Sequence, residues 1–398
     1  MKVGIYQYYW GGVGGAQRYI AVVAQLLAQQ HQVEIVHHRR DFDPQRVAEG
    51  LDVDFSRVRF RFEPDRQHGR WTTNNPWKRL RCESQWCADL SAPYDVFIDS
   101  SDRVPYFCHA RRGVLLTHFP LVSFEEYHGR LGPAWSRRPW PWRAAASAFQ
   151  RVEWRRRFAT YDLCLVNSQY TKSWFERLWG PPAQVLYPPL REGFTPQPKE
   201  RLILAIGAFH HSSHKRHDVL VKNFGELCRA GLADWRLVLV GAVGHRPEDR
   251  AYVERLRAEA AGYPIEIRTD VSTLELKDLL EKAALLWHAM GYGVDPRREP
   301  SRLEHFGMVI TEAMAAGAVP IAFRGGGIPE MITPGENGYL WSTFAELREA
   351  TLEASRDVAL RERMAAAAVE RAKDFSVAAF EARLFELLTP VLTEPVGV

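Results

Sequence analysis

Residues 300–330 read PSRLEHFGMVITEAMAAGAVPIAFRGGGIPE, from Pro300 to Glu330. A polar loop leads into a helix-forming run around Glu312. A short apolar run from Val319 to Phe323 follows, and Gly325, Gly326 and Gly327 close it. Loop, helix, buried strand and glycine turn in that order form part of a βαβ unit, so the stretch predicts a parallel sheet with helices packed on it. Glu304 and Glu312 stand eight positions apart, the first in the loop and the second in the helix. With the helix starting near Gly307, the amides of Phe306, Gly307, Met308 and Val309 lie at its N-terminus, where no intrahelical acceptor exists. Carboxylates beside such amides suit a hydroxylated ligand, because a charged acceptor holds a hydroxyl about twice as strongly as a neutral one. One glutamate then serves sugar hydroxyls and the other a vicinal diol such as ribose.

The same alternation extends in both directions. Upstream, Val3–Tyr8, Val33–His37, Val96–Asp99, Val114–Thr117 and Leu163–Asn167 read as strands. Ile20, Val23, Ala24 and Leu27 place one apolar helix face behind the first of them. A second series reads Leu202–Ile206, Leu237–Val240, Ile265–Arg268, Leu285–His288 and Val319–Phe323. Between the two series YPPLREGFTPQPKE, from Tyr187 to Glu200, has four prolines and no period, and reads as a linker. The expectation is an α/β protein with two Rossmann-like domains, residues 1–190 and 200–375, facing each other across a cleft. A last helical segment, 376–398, is expected to pack back on the first domain. Open parallel sheets bind ligands at the carboxyl ends of their strands, so two facing sheets can share one ligand.

Composition narrows the class. With 46% hydrophobic and 25% charged residues the chain is of globular type, and a net charge of +4 is too small to argue for a nucleic-acid partner. Five scattered cysteines without a C-x-x-C pair predict free thiols in a reducing compartment. The start, MKVGIYQYYW, enters a strand directly with no leader pattern, and the longest apolar run, Ala313 to Phe323, is shorter than the ~18 residues of a spanning helix. A cytoplasmic protein is expected.

The first strand runs into Gly11-Gly12-Val13-Gly14-Gly15-Ala16, and a helix follows. Gly14 and Gly15 let backbone amides approach a phosphate, aided by the helix dipole. A dinucleotide fingerprint from Gly12 would need glycine where Gln17 stands, and no GK[ST] loop occurs. A tight strand–helix turn without a ligand is the other reading of this loop.

Taken together these segments resemble the retaining GT-B glycosyltransferases of family four, in the EHFG branch with dolichol-pathway mannosyltransferases and their bacterial relatives. Trp287-His288-Ala289-Met290-Gly291-Tyr292-Gly293 is similar to the WHxxGYG segment of those relatives. Gly14-Gly15-Ala16-Gln17, His118-Phe119-Pro120, Asn167-Ser168-Gln169-Tyr170-Thr171 and Tyr187-Pro188-Pro189 match further family segments in order. The resemblance implies that Glu304 contacts the donor sugar, that Glu312 contacts the ribose, and that the amides of Phe306 to Val309 meet sugar and diphosphate. It places His118 near the reacting centre and Lys215 on the diphosphate. It also implies transfer with retention of configuration from a nucleotide-diphosphate sugar, mannose favoured, to a glycan, lipid-linked or small-molecule acceptor, with no metal and no cofactor.

One departure stands out. Where the family shows Gly-Arg this chain has Gly207-Ala208, and losing a cation from such a clamp costs several kcal/mol of transition-state stabilisation. His210, His211, His214 and Arg216 are the nearby substitutes. The spacing of His210, His214 and His217 also admits a metal reading, with no cysteine or carboxylate pair to complete it. Residues 128–158 hold eight arginines, four tryptophans and one acid, Glu153, which suits an acceptor-side role or a peripheral contact with the inner membrane face. A catalytically silent GT-B binding subunit, a Rossmann-type oxidoreductase and a nucleic-acid binder are the other readings.

Overall fold

The structure, a computed structural model, describes residues 1–7, 10, 14–64, 76–100, 102–123, 140–195, 197–212 and 215–393. The chain divides into two compact units: Met1–Tyr187 with Glu381–Val398, and Pro188–Phe380.

The first unit is a seven-stranded, all-parallel sheet. Its strands are β1 (Lys2–Gln7), β2 (Gln32–His37), β3 (Val58–Phe62), β4 (Val96–Ser100), β5 (Arg112–Thr117), β6 (Leu163–Val166) and β7 (Gln184–Val185), in the order β3-β2-β1-β4-β5-β6-β7. Helices α1 (Gly15–Leu27), α2 (Pro44–Leu51), α3 (Pro76–Ser91), α4 (Trp140–Phe158) and α5 (Gln169–Trp179) connect them. The central strands are apolar through their middles, as in Val96–Ile98 and Val114–Leu116, because helices cover both faces of such a sheet. Tyr6, Trp86, Phe97, Leu115, Phe158 and Phe175 share one buried cluster.

The second unit repeats the plan. Strands β8 (Glu200–Ile206), β9 (Arg236–Gly241), β10 (Ile265–Thr269), β11 (Ala283–His288), β12 (Val319–Phe323) and β13 (Tyr339–Trp341) are parallel in the order β10-β9-β8-β11-β12-β13. Its helices are α6 (His217–Arg229), α7 (Pro247–Ala260), α8 (Thr273–Lys282), α9 (Met308–Ala315), α10 (Phe344–Arg356) and α11 (Val358–Ala372). The last helix, α12 (Val377–Thr393), crosses the point where the chain is reassigned to the first unit. Phe224, Leu237, Leu239, Trp287, Ile321 and Trp341 form the centre of its core, and Trp287 Nε1 donates to Thr351 Oγ1 at 3.1 Å. Strand order reverses between β8 and β11, and in open parallel sheets the crevice outside the carboxyl ends at such a reversal is where ligands bind.

All ten strands read from the sequence exist, within one or two residues at each end. Three were not read: β3, β7 and β13. Strand β3 is VRFRF, with charges on alternate positions. Arg61 reaches the end of α3, where its guanidinium donates to the carbonyls of Asp89 and Leu90 at 3.1 Å. The partner that makes an arginine acceptable there comes from a distant helix. The other two strands have only two and three residues.

His217 opens α6 with its ring buried against Phe209, centroids 4.5 Å apart. Burial, with the nearby Lys215 charge, lowers its pKa from 6.5 to about 4. The unfolded chain therefore binds the proton first as pH falls. The stabilisation is whole above pH 6.5 and is lost as pH drops toward 4, to an extent of about 3 kcal/mol. Urea unfolding at pH 7 and pH 4.5 should show this slope in the wild type, and His217→Phe should flatten it. An equal slope in both proteins would assign the acid sensitivity elsewhere.

Candidate active site

At the reversal point of the second sheet three side chains from three segments converge. Lys215 comes from the loop after β8, His288 is the last residue of β11, and Glu304 lies in the loop before α9. Lys215 Nζ donates to Glu304 Oε2 at 2.6 Å, and His288 Nε2 lies 3.2 Å from the same oxygen. Burial pushes the Glu304 carboxyl upward, but the Lys215 ammonium and the His288 hydrogen bond outweigh it and hold the group well below the usual carboxylate range. Burial also lowers the His288 pKa, against the pull of the Glu304 carboxylate, and its buried Nδ1 has no hydrogen-bond partner among the described residues. Both donors use one carboxylate oxygen, which leaves Oε1 as the oxygen available to a ligand.

The glycine triplet fixes that loop. Gly327 N donates to the Glu304 carbonyl at 2.9 Å. A Cβ on Gly326 would stand 1.9 Å from the same carbonyl oxygen, with φ at +62°. Beyond it Gly307 takes φ +109° as the N-cap of α9, and a glycine has no side chain with which to cap the first turn. The amides at the start of α9 therefore lack an intrahelical acceptor and aim a partial positive charge out of the helix.

Glu312 sits in the second turn of α9, with Arg191 Nε 3.9 Å from its Oε1. Arg216, expected on the diphosphate, is otherwise engaged: its guanidinium donates to the Tyr292 carbonyl at 2.6 Å, meets Asp218 at 3.3 Å and lies over the Tyr292 ring. Its backbone is left-handed at φ 56°, which costs a non-glycine residue about 1–2 kcal/mol.

The histidines do not form the helical array that their spacing suggested. Helix α6 begins only at His217, which is turned into the core, and His214 lies outside the described residues. His210 and His211 instead share the buried carboxylate of Asp249. His211 gives it both its backbone N and Nδ1 at 2.9 Å, and His210 Nδ1 stands at 3.5 Å. A Cβ on Gly244 would collide with both Asp249 and His210, so that glycine makes room for the cluster.

In the first unit His118 directly follows β5. Asp102 Oδ1 accepts its backbone N–H at 2.7 Å, and Thr171 Oγ1 donates to its carbonyl at 3.2 Å. Ser168 caps α5 by accepting Thr171 N, so the N-S-x-x-T segment is a helix cap that also pins His118. The ring packs near Tyr19, and Nε2 is buried without a hydrogen-bond partner. Gly14 caps α1 and Gly15 begins it, while Gly11, Gly12 and Val13 lie outside the described residues. The helix places a buried arginine, Arg18, one turn past the glycines, which sequence reading overlooked.

Residues 13–190 match the model for Glycosyltransferase Family 4, and residues 188–371 match that for glycosyl transferases group 1. The chain belongs to glycosyltransferase family 4. Similar curated proteins include GDP-Man:Man(3)GlcNAc(2)-PP-Dol alpha-1,2-mannosyltransferases. That of Eremothecium gossypii is 22% identical over 72% of this chain and 51% of its own length, and that of Dictyostelium discoideum is 30% identical over 47% and 39%. The chain thus spans about half the length of these relatives, or less. Among solved structures, HepE of Anabaena in complex with UDP and glucose superposes with a TM-score of 0.66 at 16% identity, covering 98% of this chain and all of the other. At that identity the likeness shows the fold, which is GT-B.

Two residues of this family-4 site were not assigned from sequence. His288 was visible only as part of a matching segment, and nothing in its spacing announced that it bonds Glu304. Arg191 lies in the proline-rich linker, a place read for its irregularity. Both gain their partners through strand order and loop return.

Proposed function

We propose that the protein transfers a hexose, mannose favoured, from a nucleotide-diphosphate donor to an acceptor hydroxyl with retention of configuration. The observation that carries this reading is the convergence of Lys215 and His288 on one oxygen of Glu304 beside the uncapped start of α9. Glu304 Oε1 accepts sugar hydroxyls, Glu312 takes the ribose, and the amides of α9 with the positive charge of Lys215 stabilise the departing diphosphate. Gly14 and Gly15 add backbone donors, and His118 orients the sugar. No residue is assigned as a covalent nucleophile; the leaving phosphate oxygen takes the acceptor proton. The favoured donor, GDP-mannose, and a lipid-linked glycan acceptor are supported by the names of the similar mannosyltransferases. Cys87, Cys108, Cys164 and Cys228 are free thiols, which suits a reducing cytoplasm.

Thermal shift against a panel of nucleoside diphosphates with EDTA present tests the donor side. A cognate ligand at about 100 times its dissociation constant adds about 2.7 kcal/mol, or roughly 5–10 °C for a domain of this size. Proton NMR of the first product from an α-linked donor should show an α signal. No shift with any diphosphate, a shift that requires a divalent ion, or a β product would each defeat the corresponding part of the reading.

A further inference from the structure

Helix α4 is patterned inside out. Gln150, Glu153, Trp154, Arg157 and Phe158 lie on its inward side at i, i+3, i+4, i+7 and i+8, all buried. That side encloses an ion pair: Arg157 Nη2 stands 2.5 Å from Glu153 and 3.0 Å from Glu83, and Nη1 donates to the Pro105 carbonyl at 3.1 Å. The outward arc instead shows Trp140 (76% exposed), Phe149 (48%) and Val152 (55%), with Ala144, Ala145 and Ala148 between them. Arg151, Arg155 and Arg156 are exposed on the same arc near its C-terminal end. Glu153 is the helix's one acid and is buried on Arg157, so the outward arc carries no negative charge. Arg155 and Arg156 have no acidic partner among the described residues.

A helix selected only to cover its sheet would put Trp140 and Phe149 inside along with Trp154 and Phe158, and the ion pair outside. Exposed apolar area is unfavourable at about 25 cal/mol per Å², and burying charges costs desolvation. Where local pattern and burial disagree in this way, a function usually lies behind the conflict. Apolar side chains interspersed with arginines match a membrane interface, where rings and aliphatic groups enter the acyl boundary and guanidinium groups meet phosphate oxygens. A nucleic acid would engage the arginines but leave Val152 and the alanines unmatched.

We infer that the outward arc of α4 docks the protein on an anionic lipid bilayer. The inference is independent of the glycosyl-transfer reading, because it needs neither donor nor acceptor. Co-sedimentation of the full chain with phosphatidylcholine vesicles, with and without phosphatidylglycerol, should show binding only to the anionic vesicles and release in high salt. Arg155→Gln with Arg156→Gln should weaken binding about 30-fold, as expected for two cations at a charged surface. Phe149→Ser with Val152→Ser should weaken it at every salt concentration. Both variants should keep the wild-type unfolding midpoint and nucleoside diphosphate shift, since these side chains are exposed. Wild-type indifference to phosphatidylglycerol, or wild-type binding by either variant, would overturn the inference. So would salt-sensitive capture of a single-stranded oligonucleotide without vesicle binding, which would assign the arginines to nucleic acid. A lost diphosphate shift with intact vesicle binding would instead refute the enzymatic reading alone.

Discussion

Glu304→Gln should lower transfer by about 10²–10³-fold, Lys215→Met should do much the same, and the two together should lower it little further. The reason is the shared oxygen. Lys215 Nζ lies 2.6 Å from Glu304 Oε2, so the ammonium sets the charge and orientation of the carboxylate while the carboxylate holds the ammonium in place. Removing either leaves the other misplaced and partly buried without its counter-charge. The loss of one partner in such a pair is already most of the loss of both. Two groups that do not depend on one another for position or charge predict instead that the effects multiply to about 10⁴–10⁶. A cycle of the four proteins, read as kcat/KM with the donor chosen by thermal shift, separates these outcomes. Multiplying effects would break the unit formed by Lys215, Glu304 and His288. Affinity for nucleoside diphosphate should fall in both variants, because Glu304 holds the Lys215 ammonium in place.

The largest effect on stability should come from Gly326→Ala. Its added Cβ would lie 1.9 Å from the Glu304 carbonyl oxygen, a backbone atom that is itself bonded to Gly327 N. The backbone at φ +62° adds the strain of a left-handed conformation. Strain and forced displacement together should cost about 4 kcal/mol or more, lowering the midpoint by about 8–16 °C for a domain of this length. Gly335→Ala is the control. Its φ is +81°, and no atom lies within 4 Å of the new Cβ, so only the conformational cost of about 1 kcal/mol remains. Because Gly326 packs on the residue that carries the carboxylate, its substitution should also lower transfer below what unfolding explains. Equal midpoint shifts for the two variants would show that the loop relaxes and that the close approach is not what the glycine serves.

The two substitutions separate what was legible from what was not. Glu304 and Glu312 could be picked out as a pair because a loop, a helix start and a buried strand are local patterns, each written within a few residues. The glycine triplet was legible as a turn, but its packing on the Glu304 carbonyl was not. Lys215 was expected on a phosphate by position in the chain, and its bond to a carboxylate 89 residues away has no local signal. The same holds for Arg216, read as a phosphate cation and found holding the Tyr292 turn. The helical array failed because His210 and His211 precede the helix, which begins only at His217, at a boundary marked by a left-handed arginine rather than by a cap residue that sequence could announce.

By itself the sequence determined the alternation of strand and helix, the break at the linker, the helix start near Gly307, and the buried runs of each sheet. These follow from side-chain periodicity and backbone preference, which act over a turn or a strand. The tertiary structure decided which strands lie side by side, and hence that the loop after β8, the end of β11 and the loop before α9 meet at one reversal of strand order. Partner choice for a lysine, a histidine or a buried arginine depends on that meeting, because charge and hydrogen bonding are settled by distance in space and not by separation along the chain.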